Sequence, residues 1–221
     1  MKKTILAALF LVFAAVTANA QYADYSSPSA KPSGTFRPKF NNISFVSQHL
    51  TFDGVSSTNV MKKGIGAAYT TGRTFVLTPT PIADMLRFGI DAVWTDLNYA
   101  FHKGNTDLVK DKMHQLEFGL GVGAAIHVNP VEKLGIHAYF RFNPSVSAIY
   151  NRVSDDDPRG HIGYASFFTT GGAVSWGLIS LGCEARWGSG NYKTIKGSKD
   201  TTPGKMKIKT SGLRAYVSFR F

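Results

Sequence analysis

Residues 207–221 read KIKTSGLRAYVSFRF, and the reading of this stretch decides the fold. From Leu213 the side chains alternate. Leu213, Ala215, Val217, Phe219 and Phe221 take one phase; Gly212, Arg214, Tyr216, Ser218 and Arg220 take the other. A period of two belongs to a β-strand, whose successive side chains point to opposite faces. One face is wholly apolar, and the other sets two arginines among Gly, Ser and Tyr. The apolar face must lie against a second layer of protein or against lipid.

Upstream, the same period recurs in about eight segments, at 40–53, 64–77, 84–101, 113–128, 134–150, 161–175, 178–190 and 207–221. The fourth sets Leu116, Phe118, Leu120, Val122, Ala124, Ile126 and Val128 against Gln115, Glu117, Gly119, Gly121, Gly123, Ala125 and His127. The fifth and seventh repeat the pattern, and the third follows it from Leu86 to Trp94. The first segment changes phase between Phe45 and Val46 and the second near Gly72, where a β-bulge is expected in each. The sixth has apolar residues on both phases, so its faces stay unassigned. The connections alternate in kind. Thr78-Pro79-Thr80-Pro81, residues 129–133 and the turn at Trp176 and Gly177 are short. Residues 54–63, 102–112, 151–160 and 191–206 are longer and polar.

The start of the chain reads as a leader. Lys2 and Lys3 precede an apolar run from Ile5 to Val16, and Ala18-Asn19-Ala20 offers a cleavage site, so residues 1–20 are expected to be a signal peptide. Residues 21–39 carry Pro28, Pro32 and Pro38 among Ser, Ala and Gly, and read as a flexible lead with a plug as the alternative. Beyond residue 20 no run of eighteen apolar residues offers a membrane helix. An exported chain of amphipathic strands is then a soluble β-sandwich or barrel, or a closed barrel in lipid, since lipid offers open backbone groups no partners. The single cysteine, Cys183, excludes an internal disulfide framework.

Amphipathic strands, short turns alternating with long loops, and a last strand closing on Phe221 together resemble the small bacterial outer-membrane β-barrels, the OmpA-, OmpX- and OmpW-like class. The resemblance covers residues 40–221 and includes no peptidoglycan-binding segment. It implies an all-β fold, an eight-stranded antiparallel up-and-down transmembrane barrel, in the outer membrane of a Gram-negative bacterium. It also implies a lead in the periplasm, long loops at the cell surface and handling by the outer-membrane assembly machinery. The formal charge of +11 suits contact with anionic lipopolysaccharide or a merely basic surface, and nucleic acid is no natural partner of an exported chain. A monomer is expected, with a periplasmic protein as a further possible partner of the lead.

Three groups of residues are candidates for function. Asp91, Glu117, Arg141, Glu184, Arg186 and Arg214 fall on the polar phases, so they are expected to form a charge network in the lumen, with Glu184 paired to Arg214. Such a network either fills the barrel or lines a narrow pore. Trp94, Tyr99, Tyr150, Trp187 and Tyr192 fall toward the loop ends of their segments, and Phe75, Trp176, Phe219 and Phe221 toward the turns, as two interfacial girdles would. Lys193, Lys196, Lys199, Lys205 and Lys207 make the last loop strongly basic. His102, His114, His161, Asp107 and Asp111 offer acid–base chemistry without a nucleophile motif, so no enzyme is expected. No cofactor or metal is expected either: residues 155–157 lack calcium-loop spacing, and His127 and His137 read as lumen histidines. The expected role is non-enzymatic, a barrel anchoring surface loops for envelope integrity or adhesion. The alternatives are a narrow solute pore and an accessory part of a secretion or envelope-assembly machine.

Overall fold

The computed structural model describes residues 36–52, 62–104, 112–131, 133–152, 158–196 and 205–221. The expected signal peptide, most of the Pro-rich lead, Lys199 and the acidic runs at 107–111 and 155–157 lie outside the described residues. Eight strands follow one another: β1 (Lys39–Phe52), β2 (Gly64–Val76), β3 (Leu86–Lys103), β4 (Lys112–Val131), β5 (Leu134–Arg152), β6 (Pro158–Trp176), β7 (Ile179–Lys196) and β8 (Lys205–Arg220). Each pairs antiparallel with the next, and β8 pairs with β1, so the sheet closes into a barrel. The seam is tied at its end by Lys39 and Phe221, whose amides donate to each other's carbonyl oxygens at 3.0 and 3.1 Å.

Closure satisfies every strand edge and allows the outer wall to be apolar. Ile43, Phe45, Leu116, Phe118, Leu120, Leu181 and Leu213 all point outward and are exposed. The inner phase is polar and buried. This inverts a water-soluble domain, whose greasy side chains face inward, and suits a wall in contact with acyl chains. The strands run 13 to 20 residues, longer than the roughly 9–11 residues a tilted strand needs to cross the hydrocarbon.

The connections at one end are short. Gly177 and Leu178 alone join β6 to β7, with Gly177 at φ 63°, the left-handed backbone that such a two-residue hairpin needs and that glycine adopts without penalty. The β2–β3 connection is longer than the Thr-Pro repeat suggests. It continues through Ala83 and Asp84, both at positive φ, to a bridge between Ile82 and Leu86.

Three phase assignments change. β1 keeps one phase throughout and has no bulge between Phe45 and Val46: Phe40, Val46 and Leu50 simply point inward. β2 also keeps its phase, with Ala68, Thr70 and Thr74 inside. The register shift opposite Thr71 and Gly72 arises because β3 carries an extra residue around Trp94 and Thr95. In β6, Ala165, Phe167, Thr169 and Ala173 turn inward, while Tyr164, Phe168 and Val174 face out. The basic stretch near the end is a ladder more than a loop: β7 runs to Lys196 and β8 starts at Lys205, so Lys193 stands opposite Lys205 and Asn191 opposite Lys207.

Candidate functional site: the charged interior

The barrel interior is built in tiers. At the end from which the long connections leave, Leu50, Met113, Ile149, Tyr192 and Ile208 form an apolar cap. Tyr192 therefore belongs to the interior, 1% exposed, and not to the outer girdle expected for it.

Beneath the cap lies the first ionic tier. Glu117 accepts hydrogen bonds from Asn98 and from Gln115, both at 2.8 Å, and from Arg186. The Arg186 guanidinium lies over the Phe167 ring, 3.5 Å from its centroid. An aromatic face offers negative charge to a cation, which explains why β6 sends a phenylalanine inward.

The second tier centres on Arg214. Its Nη1 donates to Asp96 Oδ1 and to Glu184 Oε1, each at 2.9 Å. The pairing of Glu184 with Arg214 is therefore present, and Asp96 is a third member that sequence reasoning missed. Asp91 and Asp96 differ in parity, so a regular strand would send one of them into lipid. The extra residue of β3 lies between them and reverses the phase, leaving both carboxylates inside, 0% and 3% exposed. Tyr139 donates its hydroxyl to Glu184 at 2.5 Å and links this tier to the next.

In the third tier Arg141 donates through Nε at 3.0 Å and Nη2 at 2.6 Å to one oxygen of Asp91, and Thr74 donates to the other at 2.6 Å. The Arg141 guanidinium also sits 3.5 Å from the Tyr139 ring centroid. Below it Arg220 donates Nη2 to His137 Nδ1 at 2.8 Å, and the rings of His137 and His127 lie 5.9 Å apart. Phe36 packs edge-on against His127 at 4.9 Å, and Pro38 accepts the Thr74 amide. The last residues of the lead thus cover the turn-side mouth and do not trail from it.

All six charged residues singled out in the sequence lie inside and within 5% exposure. They do not form one undivided network; each of their three arginines has its own carboxylate. Charges taken out of water must be paired and hydrogen bonded, or each costs several kcal/mol. Asp91, Asp96, Glu117 and Glu184 meet that demand for Arg141, Arg186 and Arg214, but not for Arg220.

The aromatic residues Trp94, Tyr150, Trp176, Trp187, Phe219 and Phe221 all face outward and are exposed. Their heights differ from the expected two bands. Trp94 packs against Phe75 with ring centroids 6.1 Å apart and shares an outer groove with Lys39 and Phe221, so it belongs to the turn side. Trp187 sits among Phe140 and Phe168 on the mid-wall. Toward the loop side, Tyr99 and Tyr150 flank His114, whose Nδ1 lies 2.8 Å from the Tyr99 hydroxyl. Lys193 and Lys207 are exposed at that end. Cys183 faces out, as a small apolar wall residue.

No family model and no curated protein sequence matches this chain. Among solved structures it is similar to the attachment invasion locus protein Ail of Yersinia pestis, at TM-score 0.44 and 9% identity over 83% of this chain and 100% of that one. It is similar also to Ail in complex with the heparin analogue sucrose octasulfate, at TM-score 0.47 and 10% identity over 83% and 100%. A third similarity is to the outer membrane protease OmpT from Escherichia coli, at TM-score 0.49 and 10% identity over 89% and 99%. No residue role is carried over from these proteins.

Proposed function

We propose that this small β-barrel of the outer-membrane class sits in the outer membrane of a Gram-negative cell after removal of its signal peptide, and works there as a closed, non-enzymatic scaffold. It holds four hairpin ends at the cell surface, where they serve envelope integrity or adhesion. The filled interior carries this reading. Asp91, Asn98, His102, Gln115 and Ser147 are all 0% exposed, so water reaches none of them, whereas the lining of an aqueous passage would be wetted. An eight-stranded barrel is just wide enough for side chains to fill, and here large ones do.

Planar-bilayer recording of the refolded chain tests this reading. Silence is expected at moderate voltage; sustained unitary steps would overturn it in favour of the narrow pore. For the non-enzymatic part, lipid A mass spectra with and without the protein should be identical, and a new acyl or phosphate pattern would refute it.

The rim supports a partner class. Lys62, Lys63, Lys103, Lys112 and Lys193 are exposed at the loop-side end, and Lys103 stands directly opposite Lys112 in the β3–β4 ladder. Like charges across a ladder repel, and an anionic neighbour relieves the repulsion. Lipopolysaccharide phosphates in the outer leaflet are the partner this favours. The triple substitution Lys103→Gln, Lys112→Gln and Lys193→Gln should weaken retention on lipopolysaccharide vesicles at low salt and leave it unchanged at high salt; equal retention at both salts would count against this partner.

A further inference from the structure

The turn-side mouth contains a feature that neither the loops nor the ion pairs explain. A cavity of about 140 Å³ opens there, lined by Arg37, His127, Asn129, Lys133, Ser175 and Arg220 among others. Its charged lining is all cationic; among the described residues no Asp or Glu lines it. Of the four buried lumen arginines Arg141, Arg186, Arg214 and Arg220, only Arg220 has no carboxylate of the described residues within hydrogen-bond reach. It is 4% exposed, Nη2 is held by His137, and Nε and Nη1 have no partner. The Arg37 Nε is likewise buried without one, and His127, also 4% exposed, leaves Nδ1 unsatisfied.

A buried cation with open donors is costly, and so is each buried polar atom left unpaired. The other lumen arginines show how this chain meets that cost, with a carboxylate at 2.6–2.9 Å for Arg141 and Arg214. At the mouth the donors of Arg37 and Arg220 converge, and among the described residues no carboxylate lines the cavity; Asn129 Oδ1 is a neutral acceptor on the same wall. The cavity can hold a group of a few heavy atoms. A guanidinium beside an ammonium and an imidazole matches tetrahedral or planar oxyanions, through charge-assisted N–H···O bonds and added charge. Ser175 on the wall is already engaged, donating to the Gly135 carbonyl, and Asn129 donates through Nδ2 to the Leu134 carbonyl while its Oδ1 stays unpaired.

We propose that this mouth is a binding site for one small oxyanion, a phosphate or carboxylate group, held between Arg220, Arg37 and Lys133. The group has two possible sources. One is a free anion on the turn side of the membrane. The other is a carboxylate of this same chain: Glu132 adjoins Lys133, and Asp24 precedes Phe36 in the lead, both outside the described residues. The site does not depend on what the surface hairpins bind, so it stands or falls separately from the scaffold reading.

The experiment is calorimetric titration of inorganic phosphate, and then acetate, into the refolded full-length mature chain at fixed ionic strength. It is repeated on Glu132→Gln, Asp24→Asn, Arg37→Gln with Lys133→Gln, and Arg220→Lys. A heat-modifiable gel band confirms that each form has closed. One-to-one binding by the parent, weakened about tenfold or more in the Arg37→Gln and Lys133→Gln form, is the expected result for a free anion. A silent parent with a binding Glu132→Gln or Asp24→Asn form also upholds the site and identifies its occupant as that carboxylate. No binding by any form, or equal binding by the parent and the Arg37→Gln and Lys133→Gln form, overturns the proposal. Arg37 and Lys133 lie outside the strand ladders, so their removal tests the site even where Arg220→Lys fails to close.

Discussion

Replacing Asp91 by Asn removes one charge at nearly constant shape and leaves Arg141 facing a neutral amide in a site where both residues are almost fully buried. At about 4 Å between charge centres and an effective dielectric near 20, the attraction lost is about 4 kcal/mol, and mutational experience with single members of buried pairs gives about 3–5 kcal/mol. Glu184→Gln is the internal comparison. It also removes a buried carboxylate, but Arg214 keeps Asp96 at 2.9 Å, so the loss should fall to about 1.5 kcal/mol, the range of a hydrogen bond to a charged group. The assay is equilibrium urea unfolding from lipid vesicles, followed by the fluorescence of Trp94, Trp176 and Trp187. A third variant closes the argument: adding Arg141→Met to Asp91→Asn removes the stranded cation and should restore at least half of the stability. If Asp91→Asn costs no more than Glu184→Gln, or if Arg141→Met restores nothing, the account of Asp91 as the sole strong partner of Arg141 is wrong.

Other outcomes follow from the wall and the lumen. Leu120→Arg, midway along an outward face, should destabilise the embedded barrel by about 2–4 kcal/mol, whereas Leu181→Arg, two residues from the turn end, should cost about 0–1 kcal/mol. Equal costs in vesicles, or no cost for either, would contradict a lipid-facing wall. Gly123→Ala would drive a Cβ into the Phe140 carbonyl oxygen; the neighbouring strand must then move, at about 1–3 kcal/mol, seen as a lower urea midpoint with an unchanged slope. Phe167→Leu should lower stability by about 1–2 kcal/mol by removing the ring beneath Arg186, and Phe168→Leu on the outer face should cost less in the same titration.

The strand count, the closed antiparallel order and the inward phases of β4, β5, β7 and β8 were legible in the sequence because those strands alternate without interruption. The misreadings share one cause. Amphipathic alternation assumes that apolar side chains go out and polar ones in, and the interior breaks this rule at its ends and wherever a guanidinium needs a platform. Phe40, Leu50 and Tyr192 point inward as lids on the charged tiers, so β1 looked out of phase when it was not. Phe167 lies under Arg186 and made β6 look two-faced. Asp96 escaped notice because its parity is wrong for a regular strand. The lysines near the chain's end looked like a loop since charge and turn residues dominate there, yet ladder pairing continues through Lys193 and Lys205. The open donors of Arg37 and Arg220 leave no trace in the sequence, because only folding places them around one void.

The additional residue between Val93 and Asp96 has a consequence for how such chains can change length. Excising Thr95 would be a local event, because it removes the bulge itself. The separation of Asp91 from Asp96 would become even, so in the regular strand that results Asp96, Asn98 and His102 would stay inside and Leu97, Tyr99 and Phe101 would stay outside. The tolerance of this chain for a one-residue deletion should therefore be highest at a spot that, by composition alone, resembles any other stretch of strand, and comparisons that slide a gap freely through β3 would misassign which of its side chains meet oil.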